Sequence, residues 1–243
     1  MDRRQGDDTS QEVGRIRPHL RVNLNVRDQP DLTAIRKEPR TVELPTPVRI
    51  LTVCTGNICR SPVAERLLQA GLDQVLPGGF EVRSAGTRAM VGHPIQPLSA
   101  DIVRMYGGTD QDFAARQLNP KILRGTDIVL TMTSQHRGEV LQLDASMLKR
   151  TFTIREFARM LEALEKRDAA GEANGKAVDA GTLWRGLPAR LASVRHLALA
   201  ADSSDNEVID PYKRSAEVYR QMEDELAPAI LIILRYARLN TPS

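Results

Sequence analysis

Residues 48–65, VRILTVCTGNICRSPVAE, constrain the fold more than any other stretch of this chain. The run VRILTV (48–53) has the apolar and β-branched content of a buried strand. SPVAERLLQAGLDQVL (61–76) has the spacing of a helix, with Ser61 expected as its cap and Pro62 in the first turn, where a missing N–H does no harm. Between them lies a short turn with Gly56 and Asn57. The same turn carries Cys54 and Cys59, the two cysteines of the whole chain.

The rest of the sequence repeats that alternation. FEVRSA (80–85) reads as a second strand, QPLSADIVRMYG (96–107) as a helix ended by Gly107, DIVLTM (127–132) as a third strand and SQHRGEVLQL (134–143) as an exposed helix carrying His136. KRTFTI (149–154) makes a short fourth strand, and Phe157, Met160, Leu161 and Leu164 then fall on one face of a helix. Strands alternating with helices predict an α/β fold: a single domain with a four-stranded parallel sheet, helices on both faces, and a phosphate-binding loop after the first strand. Residues 166–206 break the pattern as an insertion. A polar Gly/Ala-rich loop is followed by Leu187, Leu191, Val194 and Ala198 at amphipathic spacing, then by the acidic turn DSSDNE (202–207). The last segment, 213–239, is expected as one kinked helix or two, with Pro228 at the break. Residues 1–47, punctuated by five prolines, read as a mostly disordered extension, in which LRVNLNV (20–26) alone alternates like a strand. The domain is thus placed at 48–240.

Composition narrows the function classes. A formal net charge of +3 over 243 residues does not mass the positive charge that nucleic-acid binding needs. The longest apolar run, AILIIL (229–234), is too short to cross a membrane, and the N-terminus lacks the apolar core of a signal peptide. A chain of this kind is expected in the cytoplasm with reduced thiols.

Cys54 ends the first strand, and Arg60 and Ser61 follow six and seven residues later. A loop joining the carboxyl end of a strand to the amino end of a helix can aim successive amides into one hollow, which binds a tetrahedral anion with help from the helix dipole. Thr55, Gly56, Asn57, Ile58, Cys59 and Ser61 would line that hollow, and the planar fork of Arg60 would clamp two phosphate oxygens. A thiol on its floor feels the same field, which favours the thiolate and makes Cys54 a candidate nucleophile. Gly56 permits close approach or positive φ, Asn57 tolerates a left-handed backbone, and Ser61 can donate to the cysteine sulfur. Cys54 taken alone is equally a small buried residue at a strand end. The strand before it and the helix after it favour the chemical reading.

The string VCTGNICRSPVAE resembles the signature of the low-molecular-weight protein-tyrosine phosphatases. The likeness continues through SAGT (84–87), GHPIQP (92–97), FAARQL (113–118), DIVLTMTSQHR (127–137) and IDPY (209–212). The resemblance implies hydrolysis of phosphotyrosine in proteins through a phosphocysteine intermediate, without metal or other cofactor. It implies an acid in an Asp-Pro-aromatic motif, which falls on Asp210, with Tyr212 as one wall of the entrance. Asp210-Pro211 by itself is also an ordinary turn before a helix. Cys59 is either a small apolar filler or, as the resemblance implies, the partner in a reversible disulfide with the nucleophile. Ile58 suits a flat phenyl ring, whereas similar chains with threonine there include phosphoarginine phosphatases. The aromatic residue that such proteins often carry after SAGT is absent, and Arg88, Ala89 and Met90 stand there instead.

A phosphotyrosine protein is the partner this implies, a bacterial tyrosine kinase among the candidates. Two rivals stand beside that reading: an arsenate reductase on the same scaffold, which in its thioredoxin-coupled form needs cysteines beyond residue 59 that this chain lacks, and a non-catalytic phosphate-binding module. The four histidines show no metal-ligand spacing.

Overall fold

The computed structural model describes residues 46–172 and 179–240. The expectations for residues 1–45, including the strand-like 20–26, and for 173–178 lie outside the described residues.

The strand β1 (Val48–Cys54) is central and parallel to both neighbours. It pairs with β2 (Phe80–Gly86) in the register Val48↔Phe80 to Cys54↔Gly86, and with β3 (Ile128–Thr131) on its other side. The short β4 (Thr151–Thr153) closes the order β2-β1-β3-β4. Strands covered on both faces need near-continuous apolar residues, and β1 is buried at every position from Ile50 to Cys54, with Thr52, whose hydroxyl donates to the Ser61 carbonyl, the one polar residue. Successive side chains divide between the faces. Val48, Ile50 and Cys54 join the larger apolar cluster, while Leu51 and Val53 join a smaller one with Leu123, Val129 and Val140.

Helices α1 (Arg60–Val75), α5 (Ile154–Arg167), α6 (Ala180–Val194) and α7 (Ala216–Asn240) supply the larger cluster, with α2 (Pro97–Met105) at its margin. The opposite face is covered by α3 (Pro120–Arg124) and α4 (Ser134–Leu143). In α5 the predicted stripe of Phe157, Met160, Leu161 and Leu164 is fully buried, each side chain contributing roughly 1.5–3 kcal/mol. A 3-10 turn, Ala145–Arg150, occupies the start of the predicted fourth strand, which is three residues long.

Two expectations about the C-terminal part are sharpened. Helix α7 runs unbroken through Pro228. A proline inside a helix costs ~3 kcal/mol, which the buried stripe of Met222, Leu226, Ile230, Ile233 and Tyr236 offsets. The segment read as an insertion carries part of the main core. Leu187, Leu191, Val194 and Ala198 are buried as their spacing predicted, and Trp184 sits edge-on between Phe80 and Tyr236, with centroids 5.0 and 5.9 Å away.

Strand β1 connects to β2 on one side and pairs with β3 on the other. The carboxyl end of β1 therefore lies at the point where strand order reverses, the usual place for a ligand in an open parallel sheet. Cys54 is the last residue of that strand.

Candidate active site

The loop from Cys54 to Arg60 is held open by bonds on its outer side. The carbonyls of Cys54, Thr55, Gly56 and Ile58 accept hydrogen bonds from the amides of Thr87, Arg88, Met90 and Gln96, at 2.8–3.0 Å. Gly86 makes the close approach feasible, because a Cβ there would lie 2.4 Å from the Thr55 carbonyl oxygen. With the carbonyls turned outward, the amides of Thr55 to Cys59 donate to no protein group among the described residues. Buried amides without partners are rare, and a row of them beside a helix amino end is a cradle for an anion.

The left-handed residue of the loop is Asn57, at φ 55°, as its type predicts. Gly56 does not adopt positive φ. Its contribution is room: a Cβ would meet Ile58 at 3.4 Å and Met90 at 4.0 Å. Ser61 is not the helix cap. Cys59 occupies that position without a side-chain cap bond, and the Ser61 hydroxyl is engaged inside the site.

That engagement has a definite polarity. Asn57 Nδ2 donates to Ser61 Oγ at 2.9 Å and to Ser84 Oγ at 2.7 Å, and its Oδ1 accepts from the Arg116 amide at 2.9 Å. Ser84 in turn donates to the buried Glu65 carboxylate. Ser61 Oγ accepts from Asn57 and lies 3.0 Å from Cys54 Sγ, so its proton is free to be donated to the sulfur whenever that sulfur is a thiolate, which can only accept. A chain of four hydrogen bonds thus runs from the Glu65 carboxylate through Ser84, Asn57 and Ser61 to the sulfur. Neither Glu65 nor Ser84 was singled out from the sequence. The signal was a glutamate one helical turn after Ser61, on a face otherwise filled by Val63, Ala64, Leu67 and Leu68.

Cys54 is 2% exposed, on the floor of a cavity of about 150 Å³. Thr55, Gly56, Ile58, Cys59 and Arg60 line it from the loop, and Arg88, Met90, Asp210 and Tyr212 complete the wall. Ile58 is fully buried in that wall, not at a rim. Met90 stands where the aromatic residue is lacking, packed with Phe113 and Tyr212 near Ile58.

Arg60 is 4% exposed. Its Nη1 donates to the Val208 carbonyl at 3.1 Å, its Nη2 pairs with Asp210 Oδ2 at 2.9 Å, and its buried Nε has no partner among the described residues. The segment carrying Asp210 is anchored at both ends: the Val208 amide donates to the Met132 carbonyl at the end of β3, and the Ile209 amide to Glu225 of α7. The Tyr212 amide donates to Asp210 Oδ1 at 3.2 Å, which turns the chain at Pro211.

Cys59 lies behind the loop with Ile58, Ala115 and Tyr219, its Sγ 3.8 Å from the Tyr219 hydroxyl. Burial pushes its thiol up to about 12, with the neighbouring Cys54 and Asp210 acting in the same direction. Both cysteines are free.

His136, expected on an exposed helix, is 3% exposed and faces the site. Nε2 bonds Thr55 Oγ1 at 2.8 Å and Nδ1 bonds Thr133 Oγ1 at 2.7 Å. Thr133 caps α4 by accepting from the His136 amide, so the imidazole ties the first loop residue after Cys54 to the amino end of α4. Burial, then the positive charge of Arg60, lower its pKa to about 4.

A parallel α/β fold with an amide-lined anion cradle, a buried thiol on its floor and a guanidinium closing it defines a phosphate-handling class. Three comparisons specify the class. The family model described as low molecular weight phosphotyrosine protein phosphatase matches residues 49–169. The chain is 37% identical to the low molecular weight protein-tyrosine-phosphatase Etp of Escherichia coli K12 over 119 residues, 49% of this chain and 75% of that one. It also superposes on the crystal structure of a low molecular weight protein tyrosine phosphatase from T. tengcongensis, with a TM-score of 0.53, 26% identity, and coverage of 77% of this chain and 98% of that one. The YwlE arginine phosphatase from Geobacillus stearothermophilus matches at a TM-score of 0.51 and 27% identity, over 78% and 92% of the two chains. The chain belongs to the low molecular weight protein-tyrosine phosphatase family.

Proposed function

We propose that this protein hydrolyses phosphotyrosine in proteins through a phosphocysteine intermediate, with Cys54 as nucleophile, Arg60 as phosphate clamp and Asp210 as general acid and base. The observation that carries this reading is the placement of Cys54 Sγ on the floor of the cavity, 3.0 Å from the Ser61 hydroxyl, beside five amides and an Arg60 Nε that have no partner among the described residues. The amides of Thr55 to Cys59 and the Arg60 guanidinium hold the phosphate oxygens. The sulfur attacks phosphorus in line, the S–P bond forms, and the aryl P–O bond breaks with its electron pair leaving on oxygen. Asp210 gives that oxygen a proton, then takes one from water as the water attacks the phosphocysteine, and the sulfur departs with its electrons while bonded to Ser61.

Support for an aryl ester comes from the wall: Ile58, Met90 and Tyr212 make a slot that is apolar on three sides. Tyr212 would stack on the ring, and Met90 replaces the missing aromatic residue. Asp210 lies outside the residues matched by the family model, so its role rests on its position at the pocket mouth. The partner is a phosphotyrosine-containing protein, with a bacterial tyrosine kinase as one candidate, and we place the reaction in the cytoplasm, where the free thiols stay reduced. No helix among the described residues is long and apolar enough to cross a membrane. We assign 48–240 to the phosphatase domain and 1–47 to an extension.

The test is turnover of p-nitrophenyl phosphate with EDTA present, with orthovanadate as inhibitor and Cys54→Ser as the inactive variant, followed by matched phosphotyrosine and phosphoarginine peptides. Vanadate-sensitive turnover lost in Cys54→Ser, with the tyrosine peptide preferred, is expected. Preference for the arginine peptide would overturn the substrate class, thiol-dependent arsenate reduction without ester hydrolysis would point to the reductase, and phosphate binding without turnover would leave a binding module.

A further inference from the structure

A groove of about 740 Å³ lies between α6 and the 3-10 turn that precedes the edge strand β4, away from the active site. Its floor is apolar: the ring of Phe152, then Pro188, Ala189 and Ala192 on one face of α6, with Leu148 standing 54% exposed at the side. Its rim is cationic on both walls. Arg137, Lys149 and Arg150 come from the catalytic scaffold, and Arg185 and Arg195 from α6 and the residue just after it. No acidic residue among the described residues lines the groove.

The charges are only partly neutralised. Arg185 Nε lies 3.7 Å from Asp127 and Arg195 lies 3.6 Å from Glu156, while Arg137, Lys149 and Arg150 have no carboxylate within ion-pair distance among the described residues. Arg137 and Arg150 spend one donor each on the carbonyls of Thr151 and Thr126, which holds them in place and leaves the rest of each fork free.

We propose that this groove docks an acidic, extended peptide segment of a partner protein. The spread of charge selects the occupant. Arg185 and Arg195 are ten residues apart along α6, about 15 Å at the helical rise, so the cations line a track instead of converging on one point. A single phosphate engages one such cluster, whereas about five residues of extended chain with spaced carboxylates reach the whole rim. Ala189 and Ala192 keep the α6 wall low, so a peptide backbone can approach closely, and an apolar side chain between acidic ones would lie against the exposed Leu148. Half of the groove comes from α6, beyond the residues matched by the family model, so this docking surface is an addition to the phosphatase scaffold.

The test is fluorescence anisotropy at low salt with a fluorescein-labelled peptide of glutamates interrupted by two leucines. A lysine counterpart, ATP and inorganic phosphate serve as comparators, on the full chain. Binding of the glutamate peptide, weakened by added salt, is expected. It should fall about tenfold in Lys149→Glu with Arg185→Glu, and measurably in Lys149→Glu alone, an exposed side chain with no ion pair to lose. Arg104→Glu with Arg220→Glu, the same change of net charge on helices that do not line the groove, should leave binding near wild type. All variants should keep p-nitrophenyl phosphate turnover and a cooperative melt, with the midpoint lowered only in the two pairs, which lose the ion pairs of Arg185 or of Arg104 and Arg220. Absence of peptide binding, equal weakening in the two charge-reversed pairs, or capture of ATP or phosphate in preference to the peptide would overturn the proposal.

Discussion

Arg60 Nη2 and the Asp210 carboxylate lie 2.9 Å apart, one 4% exposed and the other half in solvent. The residue proposed to hold phosphate and the residue proposed to move the proton therefore hold each other. In the proposed reaction an entering phosphate dianion would compete with Asp210 for the guanidinium and release the carboxyl beside the leaving oxygen. One contact thus sets both the entry and the chemistry.

Asp210→Asn keeps the shape of the mouth and removes the proton carrier. Its kcat should fall about 10²–10⁴-fold on phenyl phosphate, whose leaving group needs a proton. On p-nitrophenyl phosphate, whose leaving group departs as the anion, the loss should be smaller, and hydrolysis of phosphocysteine should become limiting. Stopped-flow release of nitrophenolate checks this: a burst in Asp210→Asn supports the role, and equal losses on the two esters would remove it.

The two thiols should respond differently to alkylation. The Cys59 thiol, pushed up to about 12 by burial, stays protonated near neutrality and is shielded by Ile58 and Tyr219. Iodoacetamide at neutral pH should label Cys54 first, with loss of activity in step and with protection by added phosphate. Peptide mass spectrometry over a time course decides it, and labelling of Cys59 ahead of Cys54 would contradict the geometry.

Asn57 combines a left-handed backbone with three side-chain hydrogen bonds. Asn57→Ala should cost about 3 kcal/mol, part from the Arg116 amide left without its acceptor and the donors lost to Ser61 and Ser84, and part from φ. Asn57→Gly relieves φ but not the network, so it should be more stable than the alanine variant by about 1 kcal/mol. Both should lose kcat, because Ser61 is no longer held in place against the sulfur by Asn57. Urea unfolding beside steady-state kinetics separates the two contributions.

The parts legible in the sequence were those governed by local rules. The strand–loop–helix at Cys54, the left-handed Asn57 and the buried stripe of α5 each follow from residue type and spacing. The parts that were missed depend on what a residue meets across the fold. Ser61 looks like a cap until Cys54 and Asn57 are seen around it, and His136 looks solvent-facing until Thr55, 81 positions away in sequence, closes over it. Trp184 reads as local packing because nothing near it in sequence indicates Phe80 or Tyr236.

His136 gives the site a pH dependence of known sign. Its ordinary value is 6.5 and burial lowers it to about 4 in the folded chain. Between those values the unfolded state binds a proton that the folded state does not, so stability rises with pH through that window and is lost on acidification. Above the window the neutral ring makes its full contribution, with Nε2 and Nδ1 each bonded to a threonine hydroxyl. Lowering the pH from about 7 to about 5 should therefore remove about 2 kcal/mol by this group alone, discounted from the limiting value for a fully unprotonated ring. Glu139 and Asp210 favour the charged ring and Arg60 and Arg88 oppose it, so the net effect is set by burial. In His136→Gln, which keeps a hydrogen-bonding side chain but cannot titrate, the urea midpoint should be lower than wild type at pH 7 and should change less on acidification. A wild-type midpoint that stays flat across the window, or an equal slope in the variant, would show that His136 does not carry it.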